Sequence, residues 1–98
     1  MRAVMTALKA EPELAQSIIL PQGTTTIGRA ESNSMVLEST TVSLNHAQIF
    51  TLSETSHILD LDSKNGIYVN GKKTHHHILR VGDSVFIGEY ILTIEGFE

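Results

Sequence analysis

The apolar residues of this chain come in runs too short to make a packed helix. Eight of them are legible: SIIL (Ser17 to Leu20), TTTIG (Thr24 to Gly28), MVL (Met35 to Leu37), AQIFTL (Ala47 to Leu52), HILDL (His57 to Leu61), IYV (Ile67 to Val69), SVFI (Ser84 to Ile87) and YILTIE (Tyr90 to Glu95). They are rich in Ile, Val, Thr, Phe and Tyr, and Gly, Asn, Asp or Ser separates most of them. Gln22-Gly23, Asn65-Gly66, Asn70-Gly71, Gly82-Asp83 and Gly88-Glu89 are the turns. The Asn-Gly pairs are the strongest of these signals, because both residues tolerate positive φ. Many short strands at regular spacing predict an all-β sandwich or barrel. Met1 to Leu14 is ambiguous: RAVMTALK alternates only in part and reads as a strand or a short amphipathic helix. The sheet context favours a first strand, and Pro12 would end either element.

Ninety-eight residues make one domain, spanning 1–98. A chain of this size buries roughly 60–70% of its unfolded surface, enough to fold without staples. It has no cysteine, so disulfides and cysteine metal sites are excluded. No apolar run approaches the roughly 20 residues of a spanning helix, and the N-terminus lacks the apolar stretch of a secretion signal. The expectation is a soluble, cytoplasmic protein without membrane partners. Seven basic against eleven acidic residues give a formal charge of −4. That balance argues against nucleic acid, which draws on many phosphate contacts from a basic face. An anion site on this chain has to work locally, through placed donors.

Three turns offer such donors. Arg29 follows Gly28 at the end of an apolar run, and its guanidinium fork suits a pair of phosphate or carboxylate oxygens. Ser43 precedes a strand, where its hydroxyl can cap a turn or donate to a ligand. Lys64 and Asn65 sit in the first Asn-Gly turn. Taken singly, each residue is more often an ordinary surface or turn residue.

Together they form a pattern. Gly28-Arg29, Ser43-x-x-His46 fourteen residues later, Asn65-Gly66, and then Val69-Asn70-Gly71 resemble the forkhead-associated (FHA) family. DLDSKNGIYVNG (Asp60 to Gly71) and LRVGDSVFIG (Leu79 to Gly88) extend the resemblance, which covers about Ile18 to Ile94. It implies a two-sheet β-sandwich of about eleven mostly antiparallel strands, with binding loops at one end. It also implies a module that reads phosphothreonine in protein segments, preferring it to phosphoserine, and hence a Ser/Thr kinase upstream. Carried over, Arg29, Ser43 and Lys64 would contact the phosphate and Asn65 would hold the peptide backbone. Gly28, His46 and Gly66 would shape the loops, His46 as a hydrogen-bonded brace. Asn70-Gly71 would turn a hairpin away from the ligand. Loop residues Ala30 to Ser34 and Ser39 to Val42 would set selectivity. No cofactor is implied. A phosphothreonine carries about −1.5 to −2 charges and three strong acceptor oxygens, which suits this donor set.

Two positions depart from the family pattern. Ile67 replaces a threonine, a β-branched swap on a strand. Leu44 stands where the family commonly has Arg, Lys or Asn. A hydrogen bond to a charged group is worth roughly 1.5–3 kcal/mol, so losing one weakens binding about tenfold to 150-fold. Asn45 or Lys64 could supply the missing donor, or Leu44 could meet an apolar ligand side chain. Leu44 therefore also raises an alternative: an FHA fold that binds or oligomerises independently of phosphate, through an edge strand or sheet face.

Two further readings are weaker. Ser43, His46, Asp60 and Asp62 include the residue types of a hydrolase triad, but no G-x-S-x-G elbow is present, and no catalytic residue is assigned. His75-His76-His77 is a histidine tract of the kind that can hold metal. On a strand only His75 and His77 would share a face, and no third ligand is evident, so the tract is read as a solvated hairpin and no metal is assigned.

Overall fold

A computed structural model describes residues 3–9 and 16–97. Pro12, expected to end the first strand, lies outside the described residues. Eleven strands follow in chain order: β1 (Ala3–Lys9), β2 (Gln16–Ile19), β3 (Gly23–Gly28), β4 (Met35–Val36), β5 (Ala47–Leu52), β6 (Thr55–Asp60), β7 (Ile67–Val69), β8 (Lys72–Thr74), β9 (His76–Ile78), β10 (Ser84–Ile87) and β11 (Tyr90–Phe97). There is no helix among the described residues. The strands form a six-stranded sheet, β2-β1-β11-β10-β7-β8, and a five-stranded sheet, β4-β3-β5-β6-β9. Among the described residues only the short β3–β4 pair is parallel, and the other pairs are antiparallel. The expected sandwich, with its first strand at the N-terminus, is the observed fold.

Alternation along each strand builds the core. On β5, Ala47, Ile49 and Thr51 are buried while Phe50 and Leu52 face out. On β1, Met5 and Ala7 face inward opposite Ile94 and Leu92 of β11. Ile27, Leu37, Ile49, Ile58, Ile67, Ile87 and Leu92 are fully inaccessible and fill the space between the sheets. Burying such aliphatic side chains stabilises the fold by roughly 1.5–3 kcal/mol each.

Two strands had no apolar signature. β8 (Lys-Lys-Thr) and β9 (His-His-Ile) are short outer strands, each closing one edge of a sheet. Charged and polar residues on an edge discourage pairing with another chain, so the chemistry that protects the edge also hides the strand. This corrects the reading of the histidine tract. His76 and His77 lie within β9, paired to β6, while β8 belongs to the other sheet, so the tract is largely exposed as expected but is not a hairpin. His76 Nε2 and His57 Nδ1 share a hydrogen bond at 2.9 Å, and His77 Nε2 donates to Asp83 Oδ2 at 2.9 Å. No group of three metal-ligating side chains occurs among the described residues.

Candidate functional site

The end of β3 is pressed against the loop that carries Ser43. A Cβ placed on Gly28 would lie 2.2 Å from the Leu44 carbonyl oxygen and 2.7 Å from Asn33 Nδ2. Glycine is required here by close approach; Gly28 is not among the residues with positive φ. The contact is stitched on both sides. Arg29 N donates to Ser43 O at 3.0 Å, Ala30 N to Leu44 O at 3.2 Å and His46 N to Ile27 O at 2.9 Å. Asn33 Nδ2 adds bonds to Ala30 O (2.9 Å) and Leu44 O (2.8 Å), tying the 30–34 turn to the serine loop. Arg29 itself is exposed, but its Nε donates to Val42 O at 3.1 Å. That bond orients the guanidinium plane. Its two terminal nitrogens have no partner among the described residues.

His46 is fully buried and fixes the second loop to the third. Ser43 N donates to its Nδ1 at 3.0 Å. Nδ1 is thus an acceptor, so the ring hydrogen sits on Nε2 and is donated to Gly66 O at 2.8 Å. One imidazole joins two loops 20 residues apart in sequence.

The third loop is a self-bonded turn. Ser63 Oγ donates to Asp60 Oδ1 and accepts from Gly66 N at 2.9 Å. Gly66 has φ of 77°, a conformation that favours glycine. This turn directs Lys64 N to Ser43 Oγ at 3.1 Å. That hydroxyl accepts here, and its own proton has no acceptor among the described residues. Asn65 Nδ2 donates to Thr41 O at 2.8 Å, and Asn65 Oδ1 accepts no bond among the described residues.

These elements enclose an open recess of about 180 Å³ lined by Arg29, Thr40, Thr41, Val42, Ser43, Lys64 and Asn65. Two cations line it and no carboxylate does. Among the described residues no carboxylate lies within ion-pairing distance of Arg29 or Lys64, so neither is neutralised there. A chain of net charge −4 thus carries a locally positive concavity. Arg29, Ser43, Lys64 and Asn65 are brought together at this recess, while Gly28, His46 and Gly66 lie behind it. Leu44 is 52% exposed and Asn45 is exposed, and neither lines the recess. Of the two residues weighed as replacement donors, only Lys64 faces it. Sequence reasoning missed the roles of Asn33 and of Ser39, whose hydroxyl donates to Glu89 Oε2 at 2.5 Å. Thr41 Oγ1 accepts from Glu89 N at 3.0 Å, so the β10–β11 turn is tied to the same loop. Both residues are ordinary turn formers, and only their distant partners reveal what they do.

The family model for the FHA domain matches residues 25–88, a span that contains the Gly28-Arg29 strand end, the serine loop and the Asn-Gly turn. The chain belongs to the FHA family. It is 35% identical over 95 residues to the oxoglutarate dehydrogenase inhibitor of Corynebacterium diphtheriae, covering 96% of this chain and 66% of that protein. The chain spans about two thirds or less of the length of the curated relatives it matches. Among solved structures, it is similar to the FHA domain of the CT664 protein from Chlamydia trachomatis, with 26% identity, full coverage of both chains and a TM-score of 0.89. It is also similar to Mycobacterium tuberculosis EmbR in complex with a low-affinity phosphopeptide, with 28% identity and a TM-score of 0.80, covering 98% of this FHA domain and 25% of EmbR.

Proposed function

We propose that this FHA domain reads phosphothreonine in a protein partner marked by a Ser/Thr kinase. One observation carries the reading. Arg29, Ser43 and Lys64 line a single recess, and the terminal nitrogens of Arg29, the hydroxyl proton of Ser43 and the ammonium of Lys64 have no protein acceptor among the described residues. Three donors of this kind match the three acceptor oxygens of a phosphoryl group, and charge-assisted bonds of this type are the stronger ones. Asn65 Oδ1 is an acceptor suited to a peptide N–H beside the phosphate. The loops are tied to one another by His46, Asn33 and Asn65, so little ordering cost attends binding. The phosphopeptide bound to EmbR, a similar protein, supports the same ligand class.

The domain acts by binding, with no catalytic step of its own. Both ring nitrogens of His46 are engaged, by Ser43 N and Gly66 O, so the ring has no nitrogen left to act as a base toward Ser43 Oγ.

The test is calorimetric titration of a phosphothreonine peptide library, with phosphoserine and unphosphorylated controls, over wild type and Arg29→Ala. Wild type binds the phosphothreonine peptides best, and Arg29→Ala weakens them by about 100-fold, from two charge-assisted bonds of roughly 1.5 kcal/mol each. Binding that ignores the phosphate, or that survives Arg29→Ala, overturns the reading.

A further inference from the structure

The outer face of the six-stranded sheet carries one apolar row beside a polar one. Leu8 pairs with Ile91, Ile91 with Phe86 and Phe86 with Tyr68, so these four side chains form a line over β1, β11, β10 and β7. Leu8, Phe86 and Tyr68 are 43%, 41% and 39% exposed. The next row on the same face holds Ser17, Thr6, Thr93 and Ser84, as the solvated side of an antiparallel sheet usually does. The apolar row is the one nearest the binding loops. Tyr68 stands two residues from Gly66, and Phe86 two from Gly88.

A cleft of about 360 Å³ joins that row to the recess, lined by Thr41, Asn65, Gly66, Tyr68, Phe86 and Glu89 among others. Thr41 and Asn65 line both cavities, so the two surfaces are continuous. Among the described residues the other sheet has no unbroken apolar row beside the loops, although Phe50, Leu52 and Ile78 are exposed on it. On its outer face His57 separates Phe50 from Ile78, and Leu52 sits beside the β5–β6 turn, at the end of β5 away from the loops.

We propose that the row Tyr68–Phe86–Ile91–Leu8 docks an apolar stretch of the same phosphothreonine-bearing protein, well beyond the residues that flank the phosphate. The proposal rests on the phosphothreonine reading for its anchoring point. The row crosses three inter-strand steps, about 14 Å, which four or five extended residues cover. The connecting segment has to pass Glu89, the one carboxylate lining the cleft, so acidic residues are disfavoured at that point. The partner is therefore read twice: once at its phosphate, and again at an apolar stretch several residues away.

Two degenerate peptide libraries with a fixed central phosphothreonine test this, one of about seven residues, too short to span the row, and one of about twenty. Each is bound to wild type, Tyr68→Ser/Phe86→Ser, Leu8→Ser and Arg29→Ala. Wild type binds the long library about tenfold tighter than the short one and enriches apolar residues outside the short window. Both row variants erase that gain and keep wild-type affinity for short peptides, which also reports that they are folded. Leu8→Ser leaves the cleft intact and so separates the row from it. A long library that binds no tighter than the short one, or a gain that survives in both row variants, overturns the proposal. If Arg29→Ala keeps its affinity for the short library, the reading of the recess fails instead; the two failures are distinct.

Discussion

Two Asn-Gly pairs flank β7 at opposite ends of the sandwich, and they do opposite things. At Asn70-Gly71 both residues have positive φ, 51° and 85°, as a two-residue hairpin turn between β7 and β8 requires. The Asn70 amide is committed at both atoms: Nδ2 donates to Asp83 Oδ1 and Oδ1 accepts from Ser84 N, each at 3.0 Å. Asp83 also accepts from His77 Nε2 and from Arg80 N, which closes the network. At Asn65-Gly66 only the glycine has positive φ, and the amide has an uncommitted oxygen beside Arg29, Ser43 and Lys64. The same dipeptide is a closed structural knot at one end and part of an open receptor at the other. What separates them is the hydrogen-bond accounting around each turn.

The sharpest way to break that contrast is His46→Ala. It removes a fully buried side chain that bonds both Ser43 N and Gly66 O, and it leaves those partners unpaired. A loss of about 2–5 kcal/mol in denaturant unfolding is expected, together with loss of phosphopeptide affinity. A stable variant that still binds would show that the loops hold their geometry without the brace.

Asp83→Ala tests the closed end. Removing the acceptor of three bonds costs about 2–3 kcal/mol of stability, yet phosphothreonine affinity stays within about twofold of wild type in the folded fraction. A larger change in affinity would mean that the two ends are coupled. The same carboxyl predicts a pH effect. Burial pushes its pKa up, but bonds from Asn70, the Arg80 backbone and His77, together with the charge on His77, outweigh burial and hold it below the ordinary 3.8. The folded-state value is the depressed one, so its stabilisation is complete above the unfolded value and disappears as pH falls through the folded one. Acid unfolding curves below about pH 4 should be steeper for wild type than for Asp83→Asn.

Leu44→Lys has the smallest expected effect. Its side chain is exposed and does not line the recess, so a lysine there adds a solvent-screened charge. A gain of no more than about fivefold in phosphopeptide affinity follows from the roughly 0.2–1 kcal/mol of exposed charge pairs. A much larger gain would show that position 44 reaches the phosphate, and that Lys64 does not fill its place.

Much of this was legible in the chain itself. The eight apolar runs and the punctuating turns identified an all-β fold, because strand and turn preferences are local; the order Arg29, Ser43, His46, Asn65 gave the resemblance to the FHA family, which implied the two-sheet sandwich and its loop end. β8 and β9 escaped because edge strands are polar for a reason that depends on their place in the sheet. The histidine tract misled for the same reason: His76 and His77 found partners, His57 and Asp83, that no spacing within the tract points to.

Local sequence thus determined an all-β sandwich or barrel and the residue types gathered at its loops. The tertiary structure alone decided which of their atoms remain uncommitted. Arg29 Nε is satisfied by Val42, Ser43 Oγ by Lys64 and Asn65 Nδ2 by Thr41, across 13, 21 and 24 residues of chain. The apolar row is similarly non-local, since Leu8 meets Ile91 only because the first and last strands pair. A hydrogen bond or a packed row is a relation between two places in space. The chain fixes what each residue can offer; the fold fixes what is left to bind.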